Sequence, residues 1–139
     1  MIDKRIIDFI KEHHILTLAT ANKNQPYTST CFYVYVEEKN LFIFTSDYDT
    51  KHIKDIENNK NVALAIALET KITGKIRGLQ ITGTIKELIQ DEYTEARKIY
   101  ITQFPIAILT KSPLWAVEPD FIKMTDNRLG FGKKIIWYK

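Results

Sequence analysis

The densest set of groups able to grip an anion is Thr45-Ser46-Asp47-Tyr48-Asp49-Thr50-Lys51-His52. It lies between a short apolar run and the start of a helical pattern. A helix start presents free N–H groups and partial positive charge, so anions bind there. Cations in a first helical turn are unfavourable unless something negative offsets them. Lys51 and His52 stand in that turn, with the hydroxyls of Thr45, Ser46 and Thr50 close by. A bound phosphate would satisfy the whole set. A plainer alternative stays open: Asp47 and Asp49 neutralise Lys51 locally, and Asp49 or Thr50 only caps the helix.

Two other stretches suit a flat ring. Thr28–Tyr35 (TSTCFYVY) interleaves small polar and aromatic side chains, a face that can lie against a heterocycle while its backbone meets the polar edge. The alternative is a half-buried strand packing its aromatics inward. Gln80, beside Arg77, Thr82 and Thr84, offers both a donor and an acceptor to a ring edge such as an imide, or simply faces solvent.

The histidines make no metal site. His13 and His14 are adjacent and diverge on a helix, fitting a helix end, and His52 has no ligand at metal spacing. Cys31, in an apolar strand, reads as a small buried hydrophobe rather than a nucleophile. GxSxG, HExxH, P-loop and GxGxxG patterns are absent.

The elements that must position these groups are short. Ile2–His13 is an amphipathic helix, with Asp3 as N-cap and Ile6, Ile7 and Ile10 on one face. Strands are expected at Ile15–Thr20, Tyr27–Val36 and Leu41–Thr45, with turns at Asn22–Pro26 and Glu37–Asn40. Thr50–Asn58 reads as a short helix. Asn61–Leu68 (NVALAIAL) reads as a strand buried on both faces. Arg77–Ile85 alternates, with Leu79, Ile81, Gly83 and Ile85 on one side. Asp91–Phe104 is a helix capped by Asp91 and closed by Pro105. Leu114–Val117, Phe121–Thr125 and Leu129–Trp137 supply the last strands. Five or six antiparallel strands with a few short helices make a mainly β, α+β barrel.

Length and composition agree with one domain spanning residues 1–139: 45% of residues are hydrophobic and 27% charged, enough for a core without staples. A single cysteine excludes an internal disulfide. No apolar run approaches the ~20 residues of a membrane span. Ile15–Ala21 is a poor signal-peptide core, because Asp3, Asp8 and Glu12 precede it, so the chain is expected to be mature from Met1 and cytoplasmic. The net charge of +3 is concentrated after Phe121, where Lys123, Arg128, Lys133, Lys134 and Lys139 face Asp126 alone. Such a bias attracts nucleic acid or a phosphorylated small molecule, or is solvated surface.

Taken together, Pro26–Phe32, Phe42–Asn59, Val62–Ile66 and Arg77–Ile85 follow the order of flavin-binding split barrels related to pyridoxamine 5'-phosphate oxidase. The chain resembles the YhbP-like branch of that family through IRGLQITGTI (Ile76–Ile85), ARKIYITQFPIA (Ala96–Ala107) and MTDNRLGFGKKIIW (Met124–Trp137). The resemblance implies an antiparallel split β-barrel that forms a homodimer, with FMN in clefts between subunits. It implies that Thr45, Ser46, Thr50, Lys51 and His52 hold the ribityl phosphate. Thr28, Ser29, Thr30, Cys31 and Phe32 would line the isoalloxazine, partly through backbone, Gln80 would contact it, and Trp115 of the same or the partner subunit would cover it. The family's Arg-Leu-x-Pro ending is absent, since Gly130-Phe131-Gly132 follows Arg128-Leu129. That departure argues against pyridoxamine phosphate as substrate. An FMN-dependent oxidoreductase is the leading expectation. A non-catalytic flavin or haem module is the second, and an oligonucleotide-binding barrel the third.

Overall fold

The computed structural model describes residues 1–139. Seven strands form one antiparallel sheet: β1 Ile15–Asn22, β2 Gln25–Val36, β3 Leu41–Thr45, β4 Asn61–Ala67, β5 Arg77–Leu88, β6 Leu114–Asp126 and β7 Lys134–Tyr138. Their order is β3-β2-β1-β4-β5-β6-β7, and β3 also pairs with β6. That extra pairing, Phe42–Thr45 against Leu114–Val117, closes six strands into a barrel.

β6 explains why the barrel is split. One of its edges pairs with β5 throughout, while the other serves β3 near Leu114–Val117 and β7 along Phe121–Thr125. Between these stretches the β5–β6 register shifts at Thr82/Gly83, a bulge that bends the strand. The bend needs glycine: a Cβ on Gly83 would lie 2.3 Å from the Glu118 carbonyl oxygen. The barrel is therefore closed at one end and splayed at the other, as expected for a split barrel.

The β1–β2 hairpin turns through Lys23 and Asn24, both left-handed (φ 50° and 64°), which matches the strands' twist in a two-residue loop. Inward residues of the strands meet Ile6, Phe9 and Ile10 of α1 (Lys4–Glu12) and Ile53 and Ile56 of α2 (Lys51–Asn58) in the main core. Asp3 caps α1 as expected, its carboxylate accepting from the Arg5 N–H. A second, smaller core lies outside the barrel, where Ala96 and Tyr100 of α3 (Gln90–Gln103) pack on Ile43, Leu88, Leu114 and Ala116.

Several expectations need correction. β4 is buried on one face only, because barrel curvature leaves Ala65 and Ala67 outside. Asp91 does not cap α3; the helix begins after Ile89, without a side-chain cap. The strands expected at Leu114–Val117 and Phe121–Thr125 are one bulged strand, since β5 pairs across both. Residues Asn127–Leu129 form a 3-10 turn tied by Asp126, so the last strand begins only at Lys134.

Candidate functional site

Of the residues expected to hold a phosphate, Ser46, Thr50 and His52 meet at the start of α2. Thr50 is its N-cap residue, and the Thr50 hydroxyl donates to the Asp47 carbonyl (2.8 Å). Ser46 Oγ and His52 Nε2 share a hydrogen bond of 2.7 Å, and Thr50 Oγ1 lies 3.4 Å from the same nitrogen. Burial holds the His52 imidazole below its ordinary pKa, with Asp55 acting in the opposite direction. The imidazole is therefore neutral near pH 7.

The loop that carries Ser46 is braced from both sides. Its N–H donates to the Pro113 carbonyl (3.3 Å), and its carbonyl accepts from the Trp115 indole (2.9 Å). Trp115 is only 5% exposed, and Tyr48 sits edge-on to its ring. Within one chain, the Trp115 indole thus braces the Ser46 loop. Thr45, on the Ile43 side of β3, lies beside the Tyr100 hydroxyl of α3 rather than among the converging hydroxyls.

Lys51 is held by partners that its sequence neighbours do not include. Its ammonium lies 3.0 and 3.2 Å from the two oxygens of Asp55, and 4.9 Å above the ring of Tyr27. Asp55 is 2% exposed and also accepts from the buried Thr20 hydroxyl (2.9 Å). The Lys51 hydrogen bond keeps the Asp55 carboxyl below the usual carboxylate range. Asp55, not Asp47 or Asp49, is thus the counter-charge. The four-residue spacing of Lys51 and Asp55 on a predicted helix was the available signal. Thr20 and Tyr27 arrive through the β1–β2 hairpin, with no local signal.

β2 divides the expected ring-contacting residues between two faces. Ser29 and Cys31 point inward with buried Tyr33, whereas Thr28, Thr30 and Phe32 are exposed on the outside. Cys31 is buried, as expected. Burial pushes its thiol up, while the nearby hydroxyls of Ser29 and Ser46 moderate the rise. The Ser29 Oγ is itself buried without a hydrogen-bond partner. Such a group costs stability unless a ligand or solvent reaches it.

The outer face continues across the sheet. Thr30, Thr17, Ala65, Gln80 and Lys123 are successive cross-strand partners, as are Thr28, Ala19, Ala63, Thr82 and Phe121. Gln80 thus joins Thr28, Thr30 and Phe32 on a flat surface of short side chains. Arg77 does not join it; its guanidinium lies over the Phe9 ring and pairs with Glu12 (3.5 Å). His13 ends α1, with Nδ1 2.8 Å from the Phe9 carbonyl, and lines with His14, Tyr33 and Tyr35 a cavity of about 200 Å³. No group of three or more His, Cys, Asp or Glu side chains is placed to hold a metal, and no helix is long and apolar enough to cross a membrane.

The chain matches a family model over most of its length. Residues 2–123 match the family described as pyridoxamine 5'-phosphate oxidase, and the chain belongs to that family. Within it, the chain stands with the UPF0306 proteins of the YhbP-like branch. It is 33% identical over 136 residues to UPF0306 protein PM1958 of Pasteurella multocida, covering 98% of this chain and 91% of that one. Among solved structures, a haem-binding protein from Mycobacterium smegmatis superposes with a TM-score of 0.78 at 14% identity. The match covers 94% of this chain but only 55% of that longer one. A pyridoxamine 5'-phosphate oxidase-related, FMN-binding protein from Nostoc punctiforme superposes with a TM-score of 0.71 at 11% identity, covering 98% and 89%.

Proposed function

We propose that the protein binds FMN and acts, as a cytoplasmic homodimer, in flavin-dependent oxidation or reduction of a small molecule. The observation that carries this reading is the meeting of Ser46, Thr50 and His52 at the start of α2, with Lys51 in the first turn of that helix and the orphaned Ser29 hydroxyl, like Ser46, near Cys31. The donor set fits a phosphorylated flavin: hydroxyls, helix N–H groups and an ammonium at one end, and an unpartnered hydroxyl further along β2. In this reading Ser46, Thr50, Lys51 and His52 hold the phosphate, and Thr45 ties the end of β3 to Tyr100. Thr28, Thr30 and Phe32 line the ring from the outer face of β2 together with Gln80, Ser29 and Cys31 contribute through backbone, and Trp115 fixes the Ser46 loop. Bound flavin would supply the two-electron chemistry, and the chain would orient it and exclude water. The FMN-binding relative of the same fold supports this reading.

Haem is the second reading, favoured by the haem-binding structural relative and by the exposed His14 imidazole beside the cavity that His13 lines. An absorbance spectrum of freshly purified protein separates the two. A flavin spectrum that bleaches with a nicotinamide donor is the expected result. A Soret band supports haem, and an inert flavin spectrum a non-catalytic module. Protein that stays colourless after incubation with excess FMN would sink the flavin reading.

A further inference from the structure

The only cation in the first turn of α2 is Lys51, and it is already committed. Both Asp55 oxygens lie within 3.2 Å of its ammonium, and the Tyr27 ring covers another side. Asp55 cannot swing away. Its side chain is 3% exposed, and Thr20 holds the oxygen Oδ2 from β1. The surrounding chain adds no excess of positive charge, since Asp47, Asp49 and Asp55 outnumber Lys51 and Lys54. A phosphate dianion brought to Lys51 is therefore also brought toward a fixed, buried carboxylate. Coulomb repulsion falls off with distance but is weakly screened for buried groups.

We propose that Asp55 is a built-in counter-charge that keeps a phosphorylated flavin exchangeable, so that FMN is taken up and released rather than held permanently. This rests on the FMN reading above. Asp55 then sets the preference between phosphorylated and unphosphorylated ligands: it weakens the grip on phosphate and leaves the ring contacts untouched. The chemistry it favours is that of a dissociable flavin cofactor, loaded when needed and released afterwards.

The test is titration of the full chain with FMN and with riboflavin, in the wild type and in two variants. Asp55→Asn preserves shape and the Thr20 contact but removes the charge. It is expected to tighten FMN roughly tenfold while leaving riboflavin unchanged. Lys51→Arg is expected to act in the same direction, because a guanidinium has donors for Asp55 and for phosphate at once. If folded Asp55→Asn binds FMN more weakly, or shifts both flavins equally, Asp55 is a positioning or structural residue and the inference is overturned. Should Asp55→Asn fail to fold, Lys51→Arg decides, and unchanged or weaker FMN binding overturns the inference. Wild-type protein that keeps FMN through exhaustive dialysis refutes exchangeability but supports the FMN reading. Wild-type protein that binds neither flavin removes both.

Discussion

At the scale of single residues, the site depends on charges held against burial. Lys51 is the cation expected to meet phosphate, so Lys51→Ala should weaken FMN by roughly three- to tenfold, the value of a half-exposed ion pair. Riboflavin should be unaffected, and calorimetric titration of both ligands checks this. Equal binding of the two flavins by the wild type would remove the phosphate assignment. His52 gives a pH dependence of known sign. Its folded pKa is lowered by burial from an ordinary 6.5, so the unfolded chain binds more protons as pH falls below that value. Stability is thus full above 6.5 and declines as pH drops toward the lowered pKa. His52→Gln should flatten this part of the profile below pH 6.5 in denaturant titrations. Asp55 and Asp126 are lowered from 3.8 by hydrogen bonds from Lys51 and Arg128. Their contribution is present above that value and lost as pH falls through the lowered pKa values.

At the scale of elements, β6 and the braces around it decide the geometry of the site. Gly83→Ala would place a methyl group 2.3 Å from the Glu118 carbonyl oxygen, at the bulge where β6 changes partners. The expected cost is about 1–3 kcal/mol, read as a lowered denaturation midpoint with the fold retained. Trp115 acts at this scale too. Trp115→Phe keeps the packing but frees the Ser46 carbonyl, loosening the loop between β3 and α2. Weaker FMN binding is expected, with a change in stability of about 1 kcal/mol. Unchanged FMN binding would show that the indole N–H does not position the site. α1 is fastened by the Tyr33 hydroxyl, which donates to the Ile10 carbonyl (2.6 Å) inside the core. That bond belongs to the same inner face of β2 as Ser29 and Cys31, so the helix and the site share one strand.

At the scale of the whole molecule, the outer face of β2, β1, β4 and β5 is a surface of mostly short side chains. It exposes Phe32 and Ile15 beside rows of threonine and alanine, with Gln80 as the polar group among them. Flat surfaces of short side chains suit close approach of a second sheet, in keeping with the proposed dimer. Ala65→Arg places a long cation in the middle of that face. It should convert a dimer to a monomer by light scattering and, if clefts are shared, weaken FMN in the same step. Wild-type protein that is monomeric yet binds FMN fully would contradict the shared cleft. The basic stretch after Phe121 looks less like a nucleic-acid surface here. Arg128 is paired with Asp126 and Lys139 with Glu118, so part of its charge serves the fold.

Much of the fold was legible in the chain because its signals are local. Asp3 before the isoleucines announced α1, the alternation from Arg77 to Ile85 announced β5, and the polar turn after Asn22 announced a hairpin. The set Ser46, Thr50 and His52 was legible for the same reason, since a strand end and a helix start leave neighbouring residues little choice but to meet. What depended on pairing was not legible. Alanines in β4 look buried by composition, yet curvature decides which face turns outward. Two stretches separated by Pro119 look like two strands until β5 binds both. Trp115 reached Ser46, and Thr20 reached Asp55, only because sheet register and the β1–β2 hairpin carried them there. The sequence by itself therefore determined the element types, the family and the cluster at the start of α2. Tertiary structure alone decided which charge opposes Lys51 and which face of β2 each residue presents, because burial and long-range register, unlike local pattern, exist only once the barrel closes.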